Sequence, residues 1–201
     1  MIMTPKEEKF FQGTIWYHGT TLSEWKSICE VGILADYNIG TSLDFGNGFY
    51  LSNNQKATEN YALNAVKYCN STFPDDNIPV VICFEFHPMK FISEGDNFKY
   101  FAKYDREFAE FVFENRLNCE LPKQHLYDLT AGVMTDAIPT KLMQQFFAGQ
   151  VTREEVVQEF MAPTSKKQLC LHKQEQCDTL KVTRAYIVNG KELNADEYRK
   201  K

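Results

Sequence analysis

The 201-residue sequence has no Cys-x-x-Cys pair, although six cysteines are present. Cys29, Cys69, Cys83, Cys119, Cys170 and Cys177 are scattered, and a structural zinc site normally draws its ligands from two close pairs. Cys170-Leu171-His172 with Cys177 is the nearest approach to a metal cluster, and it lacks the second pair. No metal is expected; the thiols read as buried, free cysteines in a reducing compartment. A basic excess is also missing. Lys and Arg total 22 against 27 Asp and Glu, a formal charge of −5. That argues against general binding to a phosphate backbone. A macromolecular partner would therefore be a protein rather than a nucleic acid. No apolar run reaches membrane-spanning length. The opening residues, Met1 to Lys9, lack the apolar core of a signal peptide. The expected location is cytoplasmic, with delivery to another cell by a signal-free route left open. Repeats and low-complexity tracts are absent.

Aromatic residues, by contrast, are abundant, with 16 Phe and 10 Tyr. They favour an aromatic core or an aromatic-lined pocket. Residues 1–12 read as a charged lead-in, 13–190 as one domain and 191–201 as a tail. Thr14 to His18 is a strand by composition, broken by Gly19-Thr20-Thr21. Ser23 is placed to cap a helix that ends at Gly32. Ala57, Tyr61, Ala65 and Tyr68 recur at helical spacing. Pro79 to Phe86 is a central strand, and Met89 to Ile92 a short extended piece. Phe98 to Arg116 reads as one helix with Phe101, Tyr104, Phe108, Phe111 and Val112 on its buried side. Leu126 to Thr130 and Ala131 to Met134 are two strands split by a bend. Lys141 to Ala148 and Thr152 to Phe160 are helices, the second opened by a Thr152/Glu155 capping box. Gln168 to His172 and Val182 to Val188 are strands. Elements interleave irregularly, often with crossovers too short for repeated βαβ units, which gives an α+β class.

The stretch Leu43-Asp44-Phe45-Gly46-Asn47-Gly48-Phe49-Tyr50-Leu51-Ser52 organises the rest. Two glycines one residue apart permit a tight turn, and an aromatic strand follows at once. Four local features then suggest one cleft. His18-Gly19-Thr20 ends a strand, where a His can bond a sugar hydroxyl and a Gly lets a ligand approach the backbone. Tyr50 follows the glycines. Thr58 and Tyr61 are one helical turn apart and share a face. Lys167-Gln168 opens a late strand. Each has a plain structural alternative: a core His beside Trp16 and Tyr17, a hairpin turn, a core Tyr.

Taken in order, His18-Gly19-Thr20, Gly46-x-Gly48-Phe49-Tyr50, Thr58 and Tyr61 resemble the NAD site of ADP-ribosyltransferases of the diphtheria-toxin and PARP type. His18 and Tyr50 match the first two members of that superfamily's His-Tyr-Glu triad. The chain is more closely similar to a bacterial and phage-associated family of predicted ADP-ribosyltransferases. Its motifs are Asp-Phe-Gly-x-Gly-Phe-Tyr, a Phe-rich helix ending Asn-Arg, Tyr-Asp, Gly-x-x-x-Asp and a late Gln. Here they fall at Asp44 to Tyr50, Asn115-Arg116, Tyr127-Asp128, Gly132 to Asp136 and Gln168. The resemblance implies a split β core of two small sheets flanked by helices. It implies NAD as ADP-ribose donor and a macromolecular acceptor. His18 would bond a ribose hydroxyl. The Gly19 backbone and the Thr58 hydroxyl would hold the carboxamide, and Tyr50 and Tyr61 would sandwich the nicotinamide. Thr20 and Gly48 would complete the binding surface.

Gln168 stands where the triad Glu is usual. Loss of nicotinamide leaves a cationic ribose carbon, which a carboxylate stabilises and an amide does not. At ~5 Å and an effective dielectric of ~20 the missing charge is worth roughly 3 kcal/mol. That is about a hundredfold in rate. Asp44, Glu114 and Asp136 are the candidate acids to compensate, and Arg106 or Arg116 the candidates to grip a pyrophosphate, with surface ion pairs to Glu110 or Glu114 as the plain alternative. His87, His125 and His172 receive no role. The expected activity is NAD-dependent mono-ADP-ribosyl transfer, with water as acceptor in a close variant. The alternative is a module that binds NAD or ADP-ribose with little or no turnover.

Overall fold

The computed structural model describes residues 3–67, 72–135, 139–164 and 166–198. It is an α+β protein with two four-stranded sheets flanked by helices. Sheet A holds β1 (Ile15–Thr21), β3 (Pro79–Glu85), β7 (Lys181–Ile187) and β8 (Glu192–Leu193) in that spatial order, all antiparallel. Sheet B holds β2 (Phe49–Leu51), β6 (Lys167–Leu171), β5 (Leu129–Val133) and β4 (Phe98–Phe101), with β4 and β5 parallel. An isolated antiparallel bridge links the sheets: Tyr17 N donates to Ser52 O at 2.8 Å and Ser52 N to Tyr17 O at 2.9 Å.

Period-two alternation decides what each face buries. Trp16, Val80, Ile82, Phe84 and Ala185 of sheet A share a core with Phe49, Leu51, Leu129, Ala131, Leu169 and Leu171 of sheet B. The other face of sheet A, through Val81, Cys83 and Tyr186, packs on Ala62 of α3 (Gln55–Lys67). With both faces covered, β3 can be the continuous run Pro79-Val-Val-Ile-Cys-Phe-Glu85. The outer face of sheet B carries Cys170, Phe101 and Val133. It packs against Phe108, Val112 and Phe113 of α5 (Arg106–Leu117), Met143 of α6 (Pro139–Phe147), and Val156 and Phe160 of α7 (Arg153–Phe160).

Several expectations are corrected. The charged lead-in contains a helix, α1 (Pro5–Phe11), with a Thr4/Glu7 capping box and Pro5 in its first turn. Its Phe10 and Phe11 are buried in the inter-sheet core. Gly19-Thr20-Thr21 does not break β1, because each residue has a partner on β3. Thr21, not Ser23, caps α2 (Leu22–Val31): its side chain accepts from Glu24 N. Met89 to Ile92 lies within a helix, α4 (Pro88–Glu94), with Pro88 in the first turn and Gly95 left-handed after the last. The single helix from Phe98 is two elements: β4, then α5 starting only after Asp105, which accepts from Phe108 N at 3.1 Å. Residues 129–133 form one continuous strand, not two split by a bend. A short helix, α8 (Gln174–Cys177), and strand β8 were not anticipated. Tyr68, Cys69, Asp136 and the basic end of the tail lie outside the described residues. None of the described helices is long and apolar enough to cross a membrane.

Candidate functional site

β1 places His18 on its inter-sheet face, where the imidazole stacks on Phe49 at 4.4 Å and 28°. His18 Nδ1 lies 2.8 Å from the Tyr50 carbonyl oxygen. A carbonyl only accepts, so Nδ1 carries the proton. Burial lowers the imidazole pKa, against a smaller raising effect of the Tyr50 hydrogen bond. The ring is therefore neutral at pH ~7 and its Nε2 is an acceptor, the form that suits a sugar hydroxyl. Thr20, two residues on and on the same face, is buried.

Gly19 faces the other way, toward α3. A Cβ on Gly19 would stand 2.8 Å from Thr58 O and 3.3 Å from the Tyr61 ring. The helix backbone thus occupies the space a side chain would need, and Gly19, Thr58 and Tyr61 form one contact group. Asn54 accepts from Ala57 N at α3's first turn. Buried Thr58 donates its hydroxyl to Asn54 O at 2.9 Å. Tyr61 is 59% exposed, an open aromatic face beside β1.

Tyr50 belongs to a different environment. Its hydroxyl donates to Gly46 O at 2.7 Å and accepts from Phe45 N at 3.0 Å. Its ring lies parallel to Phe45 at 6.5 Å and 17°. Burial, with Cys170 and Asp44 nearby, raises the phenol pKa well above its usual value, so it stays protonated. The side chain closes the glycine turn from inside, while Tyr61 lies open on α3; the two rings do not form the expected sandwich. Gly48 likewise faces protein: its Cβ would fall 2.3 Å from Cys170 Sγ and 2.6 Å from Leu171 O.

Gln168 is 9% exposed and lies opposite Gly132 on β5. Its Nε2 is buried with no hydrogen-bond partner. Leu51 pairs with Leu169, so Gln168 falls beside Ser52, whose Oγ donates to Lys167 O at 3.4 Å. Ser52 is bridged to Tyr17, next to His18. Alternation sets Gln168 on the outer face of β6 with Cys170, since Leu169 and Leu171 enter the inter-sheet core, whereas His18 is on the inter-sheet face of β1; the two side chains therefore leave their strands on opposite faces.

Arg106 makes the surface ion pair with Glu110 that was its plain alternative, while Arg116 and Asp44 are placed otherwise than expected. Arg116 is buried and neither grips an open cleft nor pairs with Glu110 or Glu114. Its Nη2 and Nε donate to Asp44 Oδ1 at 2.6 and 3.1 Å. Asp44 also accepts from Thr135 N at 2.8 Å and Thr135 Oγ1 at 2.9 Å. Asn115 Nδ2 donates to Asp44 O at 3.0 Å. Glu114 pairs with Arg153 at 3.0 Å, and Arg106 with both Glu110 and Glu154. The sequence signal for the Asp44–Arg116 network was the motif pair itself, read as ligand-facing when it faces inward.

Cys170 and Cys177 fall in separate cores, and no group of three metal-ligating side chains occurs among the described residues. A concavity of about 520 Å³ opens between Asn47, His125 and His172, away from His18 and Gln168. Among the motif residues, Asn47 of the glycine turn and the pair Tyr127-Asp128 line it, whereas His18, Thr58, Tyr61 and Gln168 do not. Sequence reading missed it because two irregular loops and the turn after β6 wall it, segments with no periodicity to bring them together.

A family model described as a protein of unknown function, DUF3990, matches residues 16–182. Neither a curated protein nor a solved structure gives a match. The match runs from Trp16 on β1 to Val182 at the start of β7 and takes in β2 to β6 whole, so this chain belongs to the DUF3990 family.

Proposed function

We propose that the protein is an NAD-dependent mono-ADP-ribosyltransferase of the cytoplasm, acting on a macromolecular acceptor, with protein preferred to nucleic acid. The observation that carries this reading is the unpartnered Nε2 of Gln168, buried at the head of β6 beside the Tyr17–Ser52 bridge. A buried donor left unpaired costs about 1–3 kcal/mol, and such groups call for a ligand or another explanation. A ribose hydroxyl oxygen would satisfy it. Neutral His18, with Nε2 as acceptor, would take the proton of a neighbouring hydroxyl. The exposed Tyr61 ring, in contact with Gly19, offers one stacking face for nicotinamide. Thr58, with its hydroxyl given to the helix, would contribute as an acceptor. Tyr50 would act through the backbone, holding His18 by its carbonyl and the turn by its hydroxyl.

A second reading is favoured by the absence of a charge at position 168. Asp44 is committed to Arg116 and Thr135 and Glu114 to Arg153, so neither supplies it. On that reading the site binds NAD or ADP-ribose without turnover. Incubation with labelled NAD and a lysate separates the two. Transfer yields free nicotinamide and a labelled macromolecule; hydrolysis yields nicotinamide alone. A binding module gives thermal stabilisation by NAD and neither product. No stabilisation and no product would overturn both readings.

A further inference from the structure

The concavity of about 520 Å³ has the size of a small-ligand site and stands apart from the His18 group. Its walls come from the loop before β2, the loop before β5 and the segment from His172 to Gln174 after β6; the two loops hold each other, Gly40 N donating to Cys119 O at 3.0 Å and Asn47 Nδ2 to Leu121 O at 2.9 Å. Asn47 Nδ2 also reaches Pro122 O at 3.3 Å. Two carbonyls on one side fix which way the amide points, since the flipped form would set oxygen against oxygen. Asn47 is 7% exposed, and its Oδ1 is buried with no partner. A residue of the pocket wall thus carries an acceptor that lacks a donor.

The remaining polar groups ask for the same thing. Asp36 and Asp128 line the opening with Lys123 and Lys173. Lys173 is already held by Asp96 at 2.7 Å, Asp128 at 3.4 Å and Glu175 at 3.4 Å. The lining itself balances, Asp36 and Asp128 against Lys123 and Lys173, and Asp96 and Glu175 around Lys173 bring the surroundings to four carboxylates against two ammonium groups. His125 and His172 add no charge, because each ring has both nitrogens placed: His125 takes Tyr127 N on Nδ1 and gives Nε2–H to Phe45 O, and His172 bridges Asn47 O and Thr130 Oγ1. The His125 and Tyr127 rings, 5.5 Å apart, supply aromatic surface. Leu34 in the lining is 42% exposed, and Leu121 and Leu126, each next in sequence to a lining residue, are 50% and 77% exposed.

We infer that this pocket receives an arginine side chain from a partner polypeptide, the guanidinium donating to Asn47 Oδ1 and the acidic wall, and apolar neighbours of the arginine resting on the leucine rim. A guanidinium is planar, always charged, carries five donors and stacks on aromatic faces, which matches an orphan acceptor, net negative charge and two rings together. The assignment does not depend on NAD chemistry at the other site.

The test is an NMR titration of the ¹⁵N-labelled full chain with acetyl-Leu-Arg-Leu-amide, alongside the analogues with lysine or citrulline at the centre. The arginine peptide is expected to shift the signals of Asn47, including its side-chain amide, and of His125 and Tyr127. Citrulline keeps the shape and loses the charge, and should bind at least about tenfold more weakly. Lysine should fall between. Asp36 and Lys123 are exposed, so their variants keep the fold. Asp36→Asn should weaken the arginine peptide about two- to fivefold, and Lys123→Gln should strengthen it. Equal binding of citrulline, no shift at Asn47, or shifts there with adenosine but not with the arginine peptide would overturn the assignment.

Discussion

Asp44 accepts from Arg116 with Oδ1 and from the Thr135 amide with Oδ2, all of it away from water. An ion pair in that setting gains little over an apolar replacement, but breaking it strands a charge. Arg116→Met should therefore cost about 3–5 kcal/mol in urea denaturation. The double change with Asp44→Asn should recover part of the loss. A loss below about 1 kcal/mol for the single change would mean that water reaches the carboxylate. Gln168 poses the opposite case, a neutral group where charge would help the proposed reaction. Gln168→Glu should raise nicotinamide release by up to about a hundredfold. An unchanged rate would place the limiting barrier elsewhere. At this scale the sequence identifies which residues matter better than what they face. Asp44, Asn115 and Arg116 stand out as a motif, yet only the fold shows them turned inward to tie the loop before β2 to the end of α5.

The glycine turn shows how an element can depend on a missing atom. Gly48 has φ +157°, and β6 lies so close that a Cβ would sit 2.3 Å from Cys170 Sγ. Gly48→Ala should force β2 and β6 apart and lower stability by about 2–4 kcal/mol, read as a drop in melting temperature. A thermally normal variant would show that the strands have room to move. Elements with chemical punctuation were legible: Thr152 and Glu155 form the capping box their spacing announces. β4 was not. Phe98, Tyr100 and Phe101 are followed by Tyr104, Phe108 and Phe111 at a spacing that imitates a helical stripe. The stop lies in Asp105, whose cap is visible only once the chain turns there. The two irregular loops that, with the turn after β6, wall the 520 Å³ pocket carry no periodicity, so nothing in the sequence placed them side by side.

For the molecule as a whole, buried neutral histidines make stability depend on pH. Burial, aided by nearby His125, holds His172 down to about 3, and burial also lowers His18 and His125. Unfolded, each titrates near 6.5. The unfolded chain then binds more protons, so this stabilisation is complete above pH ~6.5 and is lost progressively as pH falls toward the folded values. His172 alone should cost about 2 kcal/mol at pH ~5. Urea midpoints measured between pH ~7.5 and ~5 should fall accordingly, and His172→Gln should flatten the slope. A midpoint independent of pH would contradict the buried neutral state.

Among the described residues the ladders of sheets A and B communicate through one pair of amides, those of Tyr17 and Ser52. A seam so narrow is a natural reporter. Anything that seats beside Ser52 presses on both halves at their joint, so deuterium uptake at these two amides should slow together. Occupancy would then be visible in the backbone, whichever side chains make the contact.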